Sequence, residues 1–253
     1  MSQPGRPNQT YFDLLEAFPQ PGCVVCGLLV PIGDRLVQSV LYERWSDQPT
    51  HDAIRARRGL CATHSHQLTQ YRGNAQTVAI FFRSAVDAAV RALESTPVAA
   101  PPERAGLATL LRRAGRGLSG AVRLAPEAPC LVCAEIGAAE GRYVETLARD
   151  LGEGRLAEAY RRSDGLCLPH TRMVLAAARD AGVREVVIDV QRRVWSELHD
   201  DLSTFIKKTG SHDYASITRR VSGSWQRAAR LMPGLPALFG TDHCPSGGDP
   251  AEE

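Results

Sequence analysis

The stretch from Pro21 to Leu29, PGCVVCGLL, sets two of the chain's seven cysteines three residues apart. Its reading decides the rest. Cys23 and Cys26 form a redox pair, half of a metal site, or part of an apolar helix, and each choice implies a different fold. The next cysteine lies in GLCATHSH, where Cys61 is followed three residues later by His64. The same pair of motifs then returns. APCLVCAEI carries Cys130 and Cys133, and GLCLPHTRM carries Cys167 and His170. Cys23 to Cys61 spans 38 positions and Cys130 to Cys167 spans 37.

The match extends beyond the cysteines. DRLVQSVLYERW and GRYVETLARDL follow the two CxxC motifs and align Arg35 with Arg142 and Val37 with Val144. Each CxxH opens on Gly-Leu-Cys, at Gly59 and Gly165. The pattern reads as an internal duplication covering roughly 20–95 and 127–209. It divides the chain into a first repeat at 1–96, a Pro/Ala/Arg-rich linker with a short helix at 97–126, and a second repeat at 127–210. A C-terminal helical segment at 211–240 and a tail at 241–253 that reads as disordered complete it. His64 has a counterpart in His170, whereas Arg172 stands opposite His66, so His66 is expected at the surface. Cys244 has no counterpart, and His243 with Cys244 reads as part of the tail rather than as a ligand pair.

Residues three apart at a helix start lie on one face. CxxC then presents two sulfurs to one ion, and CxxH a sulfur and a nitrogen. Three thiolates and an imidazole suit tetrahedral zinc, and their softness disfavours magnesium and calcium. Within-copy pairing assigns Cys23, Cys26, Cys61 and His64 to one structural zinc ion, and Cys130, Cys133, Cys167 and His170 to a second. An iron–sulfur centre is the alternative cofactor. Exchange of CxxH motifs between the copies is open on spacing alone. Covalent haem needs CxxCH, but Gly27 and Ala134 follow the second cysteines.

The surroundings read as all-α. Val78, Phe82, Val86, Ala89 and Leu93 recur at helical spacing, as do Val183, Val187, Val190, Val194, Leu198, Leu202 and Phe205. VREVVIDV is rich in β-branched residues, yet the long continuation of its stripe favours helix. Gly73 and Gly182 are expected to mark breaks before these two helices. Pro31 and Gly33 predict a kink or a late start in the helix after the first CxxC. The expected fold is two duplicated helical units, each with a CxxC/CxxH metal site, followed by a C-terminal helical segment.

The quoted motifs CVVCGLL, LYERWSD and RRGLCATH, with the late KKTGSHDY and SWQRA, resemble a bacterial family of unknown function. Its members carry a CxxC, a tyrosine- and glutamate-containing helix, a Gly-aromatic-Cys-x-x-His element and a terminal HDY…WxRA segment. The resemblance covers Cys23 to about Met232 and implies the architecture without an activity. Leu60 and Leu166 stand where the family has an aromatic residue, and Pro31 is a further departure.

Function is bounded more loosely. A net charge of +2, with 43% hydrophobic and 23% charged residues, gives no global argument for nucleic acid or an anionic membrane. No apolar run approaches the ~18 residues of a spanning helix and no secretory signal is read, so a cytoplasmic setting and no membrane partner are expected. No P-loop, Gly-rich dinucleotide turn, HExxH or GxSxG frame occurs. The leading expectation is a non-enzymatic zinc-binding interaction or adaptor module with a protein partner. Redox or metal sensing through labile thiolates is the first alternative. Nucleic-acid binding is the second, through Arg104, Arg112, Arg113, Arg116 and Arg123 or through Arg219, Arg220, Arg227 and Arg230 around Trp225. Solvated or docked helices are preferred for both basic stretches. The cluster Glu197, His199, Asp200 and Asp201 reads as the polar face of the last long helix.

Overall fold

The computed structural model describes residues 8–94 and 124–235. The linker arginines, His243 and Cys244 lie outside these residues. Every regular element among the described residues is helical. The order is α1 (Gln9–Ala17), α2 (Val24–Tyr42), α3 (Gln48–Arg57), α4 (Ala62–Gln70) and α5 (Ala75–Glu94). Then come α6 (Leu131–Asp150), α7 (Gly154–Arg161), α8 (Leu168–Ala177) and α9 (Ala181–Gly210). A 3-10 turn (Tyr214–Ser216), α10 (Arg219–Ser222) and α11 (Ser224–Leu231) close the described chain.

Local chemistry explains the helix starts. The Asn8 side chain caps α1 through the Tyr11 N–H, Asp47 caps α3 through Thr50, and Asp180 caps α9 through Gly182 and Val183. Cys61 and Cys167 take the N-cap positions of α4 and α8 with extended backbone and give no side-chain cap bond. A cap cysteine leaves its sulfur free for other work.

The described residues divide into two compact units, 8–34 with 136–235 and 35–94 with 124–135. The first unit buries Leu14, Phe18, Leu147, Leu156 and Tyr160, and the Phe18 and Tyr160 rings stand 5.7 Å apart. The α9 stripe faces this core at Val183, Val187, Val190 and Leu198, as its spacing predicts, and VREVVIDV is helical. The acidic face of α9 holds the C-terminal segment. Asp201 Oδ2 accepts from Arg220 at 2.7 Å and Arg227 at 2.6 Å, and Glu197 accepts from Arg220 at 3.1 Å. That agrees with a docked helix, and Val221 and Leu231 supply its buried contacts.

In the second unit α3 packs on α5, with the His51 ring 5.0 Å from Phe81. The α5 stripe differs from the expected one. Phe81 and Ala85 are buried, while Val86 and Leu93 are 59% and 56% exposed. The run TVAIFFRSAVDAAVRAL has apolar residues on two adjoining stripes, and contact with α3 selects the one containing Phe81.

Three further expectations change. Helix α2 runs unbroken from Val24 through Pro31 to Tyr42, with neither late start nor interruption. Its buried Val25, Leu29, Val37, Val40 and Leu41 supply the packing that outweighs one missing backbone bond. The 19 residues of α2 are also long and apolar enough, by length and composition, to cross a membrane, contrary to the expectation. Those same buried residues give its apolarity a use inside the protein. Gly182 lies inside the first turn of α9 rather than before it, because Asp180 caps one residue earlier than the glycine suggested.

Pro31 is exposed. Alanine there restores the bond to the Gly27 carbonyl and loses no packing. Pro31→Ala is expected to stabilise the protein by about 1–3 kcal/mol, read as a higher thermal midpoint. A lower midpoint would show that the proline shapes the helix.

Candidate metal centres

The structure gathers all eight predicted ligands, but into a different pairing. Cys23, Cys26, Cys167 and His170 form one buried cluster, and Cys61, His64, Cys130 and Cys133 form the other. The expected pairing is therefore corrected: Cys23 and Cys26 meet Cys167 and His170, and Cys130 and Cys133 meet Cys61 and His64. The reason lies in α2. A 19-residue helix is about 28 Å long. It starts in the first unit and ends in the second, so the CxxH that follows it belongs to the second unit. Helix α6 carries the chain back in the same way.

The first centre is built by short contacts between distant stretches. Gly22 turns with φ +92° and its N–H donates to Asp164 Oδ2 at 2.8 Å, tying the CxxC start to the approach of the later CxxH. That approach is itself clamped. The Gln191 amide accepts from Leu166 N–H and donates to the Leu166 carbonyl, both at 2.8 Å, and accepts from Tyr160 O–H at 2.9 Å. Ser163 Oγ accepts from Gly165 N–H at 3.0 Å. Gly165 takes φ +76°, and a Cβ there would stand 2.3 Å from Gln191 Oε1. In the second centre Glu127 N–H donates to the Ala56 carbonyl at 3.0 Å, and its carboxylate pairs with Arg58 at 2.7 Å.

The ligand geometry fits a single ion. His170 Nδ1 lies 3.3, 3.5 and 3.0 Å from the sulfurs of Cys23, Cys26 and Cys167. His64 Nδ1 lies 3.2, 3.6 and 3.3 Å from those of Cys61, Cys130 and Cys133. The sulfur pairs Cys26–Cys167 and Cys61–Cys133 stand at 3.7 and 3.6 Å, too far for disulfides. A tetrahedral zinc ion with ordinary bond lengths sets edges of about 3.8 Å between sulfurs and about 3.5 Å between sulfur and nitrogen.

The electrostatics point to protons that a metal would displace. Burial opposes charge on the two imidazoles, yet Cys130 and Cys61 raise His64 to about 9. Cys23 and Cys26, with Glu140, raise His170 to about 11. Burial also opposes the Cys23 thiolate, but Cys167, Cys26 and His170 hold it well below the usual thiol value. Cys130 and Cys61 push the Cys133 thiol up, and Cys23 and Cys26 do the same to Cys167.

The outer contacts of the two histidines differ. His170 Nε2 faces the buried Glu140 Oε1 at 2.8 Å, which fixes the ring for binding through Nδ1. His64 Nε2 is buried with no hydrogen-bond partner among the described residues. Glu140 follows Cys133 by seven residues, and Gly33 stands at the same interval after Cys26. Sequence reasoning missed Glu140, Gln191 and Asp164. Gln191 has a visible signal, a lone amide inside the apolar stripe of α9. Glu140 has none, because its helix carries ligands of the other centre. His66 is exposed, as expected.

The comparisons bear on these residues. A family model described as a family of unknown function, DUF6062, matches residues 10–234. The chain belongs to that family. No curated protein and no solved structure matches the chain. The DUF6062 match includes both clusters and the docked C-terminal helices.

Two measurements follow. Gly165→Ala is expected to cost about 1–3 kcal/mol, through backbone strain and displacement of the Gln191 amide. Denaturant unfolding checks it, and an unchanged midpoint would rule out the clamp. Competition with a chromophoric chelator should remove two ions in sequence, the His64 ion first. Glu140→Gln is expected to weaken the His170 centre by about 10–100-fold and leave the other unchanged. Equal loss from both centres would contradict the assignment.

Proposed function

We propose that this DUF6062 chain is a zinc-binding helical protein whose two Cys3His sites are structural, and that it acts as a non-enzymatic interaction or adaptor module. The observation that carries the reading is the pair of buried four-ligand clusters, all of whose donor atoms lie within 4.8 Å of one another. Such closed sets lack the open position of a catalytic zinc site. The compactness supports one ion per cluster over an iron–sulfur centre, whose several metal atoms hold their ligands farther apart. A reducing, cytoplasmic setting is the compartment proposed for it, since it keeps ligand thiols free. The proposed partner is a protein. A nucleic-acid role through α10 and α11 has less support, because Asp201 and Glu197 offset part of the positive charge of Arg220 and Arg227.

Elemental analysis of the purified full chain tests the metal. Two zinc ions per chain are expected, with a colourless visible spectrum. Chelation should lower both helicity and thermal midpoint, because structural zinc contributes about 10–16 kcal/mol in small zinc peptides. Lowering the pH should weaken binding. The raised imidazoles and the Cys133 and Cys167 thiols hold protons that the ion must displace, so added protons favour the metal-free form. Iron with visible absorbance, or a chelated protein with native melting, would overturn the reading.

A further inference from the structure

The first unit contains a cavity of about 360 Å³ that reaches the Cys23 and Cys26 end of its metal centre. This volume lies in the range of small-molecule sites, about 300–1,000 Å³. Its lining combines apolar Val194, Leu198 and Leu231 with Arg193, Arg220, Arg227 and Arg230.

Positive charge is in excess in that lining. Arg220 and Arg227 share one oxygen of Asp201, at 2.7 and 2.6 Å. Arg193 and Arg220 share Glu197, at 3.6 and 3.1 Å. Three guanidiniums thus divide two carboxylates, and Arg230 has no ion pair among the described residues. The remaining lining acid, Asp164, is engaged through Oδ2 by the Gly22 N–H. Guanidiniums with spare N–H donors beside an apolar wall are suited to an acid group on an apolar body.

Gly27 gives the cavity its open floor. It lines the space, and a Cβ built on it meets no atom within 4 Å. The second copy has Ala134 at this place. A glycine inside a helix costs about 1 kcal/mol relative to alanine. Since no neighbour crowds residue 27, a longer side chain there would extend into the open space.

We infer that this cavity is a binding site for a small organic anion. The acid group sits among Arg193, Arg220, Arg227 and Arg230, and the apolar body lies against Val194, Leu198 and Leu231. The occupant borders Cys23 and Cys26, so the site joins ligand binding to the first metal centre. This assigns a ligand class that the structural-zinc reading lacks.

The test uses the full metal-loaded chain with 8-anilinonaphthalene-1-sulfonate as the probe, a sulfonate on an apolar aromatic body. Fluorescence should rise to saturation at one equivalent, and inorganic phosphate or added salt should weaken binding. Arg230→Glu is expected to lower the affinity by about tenfold or more, and Arg230→Lys to retain most of it. Gly27→Leu fills the floor while favouring the helix, and should block the probe with thermal midpoint and metal content intact. Absence of saturable binding, or equal binding by the wild type, Arg230→Glu and Gly27→Leu, would overturn the site. Metal analysis of the same samples separates that outcome from failure of the zinc reading, which would appear as missing zinc.

Discussion

Convergence of three sulfurs and one imidazole on a single point is the constraint from which the rest of the structure follows. In the first centre it joins Cys23 to His170, 147 residues apart. Closing so long a loop is costly for the unfolded chain, and one ion held by all four donors would offset that cost in a single step. The nearby devices serve this closure. The Gly22 turn, the Asp164 carboxylate and the Gln191 clamp on Leu166 bring the two halves of the ligand set to a common place. Two cysteines at helix N-caps then aim their sulfurs inward because neither spends its side chain on capping.

The two centres share a donor set and differ in support. His170 is oriented by Glu140, while His64 carries a buried nitrogen with no partner among the described residues. Packing explains why the corresponding carboxylate is absent from α2. A Cβ on Gly33 would stand 3.1 Å from Ile136 Cδ1, so a larger residue there would have to displace the Ile136 side chain. In an interior packed at crystal-like density, that displacement works against a carboxylate at this position. Similar Cys/His motifs thus lead to unequal clusters because the helices beneath them pack differently.

The first centre also borders the arginine-lined cavity. Asp201 and Glu197 gather Arg220 and Arg227 against α9, which docks α10 and α11 and at the same time shapes one wall of that cavity. A surface ion-pair network of this kind contributes little to stability. Its larger effect is positional, since it holds several guanidiniums in one place.

Much of this was legible from residue types and spacing. The eight ligands follow from two CxxC and two CxxH motifs, because thiolate and imidazole at a three-residue interval meet on one face of a helix. The all-α class follows from stripes at helical period, and the α9 stripe placed Val183, Val187, Val190 and Leu198 in the core while leaving out the buried Val186 and Gln191. The α5 stripe was not, because two apolar faces compete there and only contact with α3 chooses Phe81 over Val86. Pro31 misled for a related reason: local propensity is weak beside the burial of Val25, Leu29 and Val37. The pairing of the ligands was beyond the sequence alone. Spacing states that four donors of one type exist twice, and both pairings satisfy it equally. The length of α2 and the turn at Gly22 decided in favour of exchange, since a rigid helix carries each CxxH away from the CxxC that precedes it.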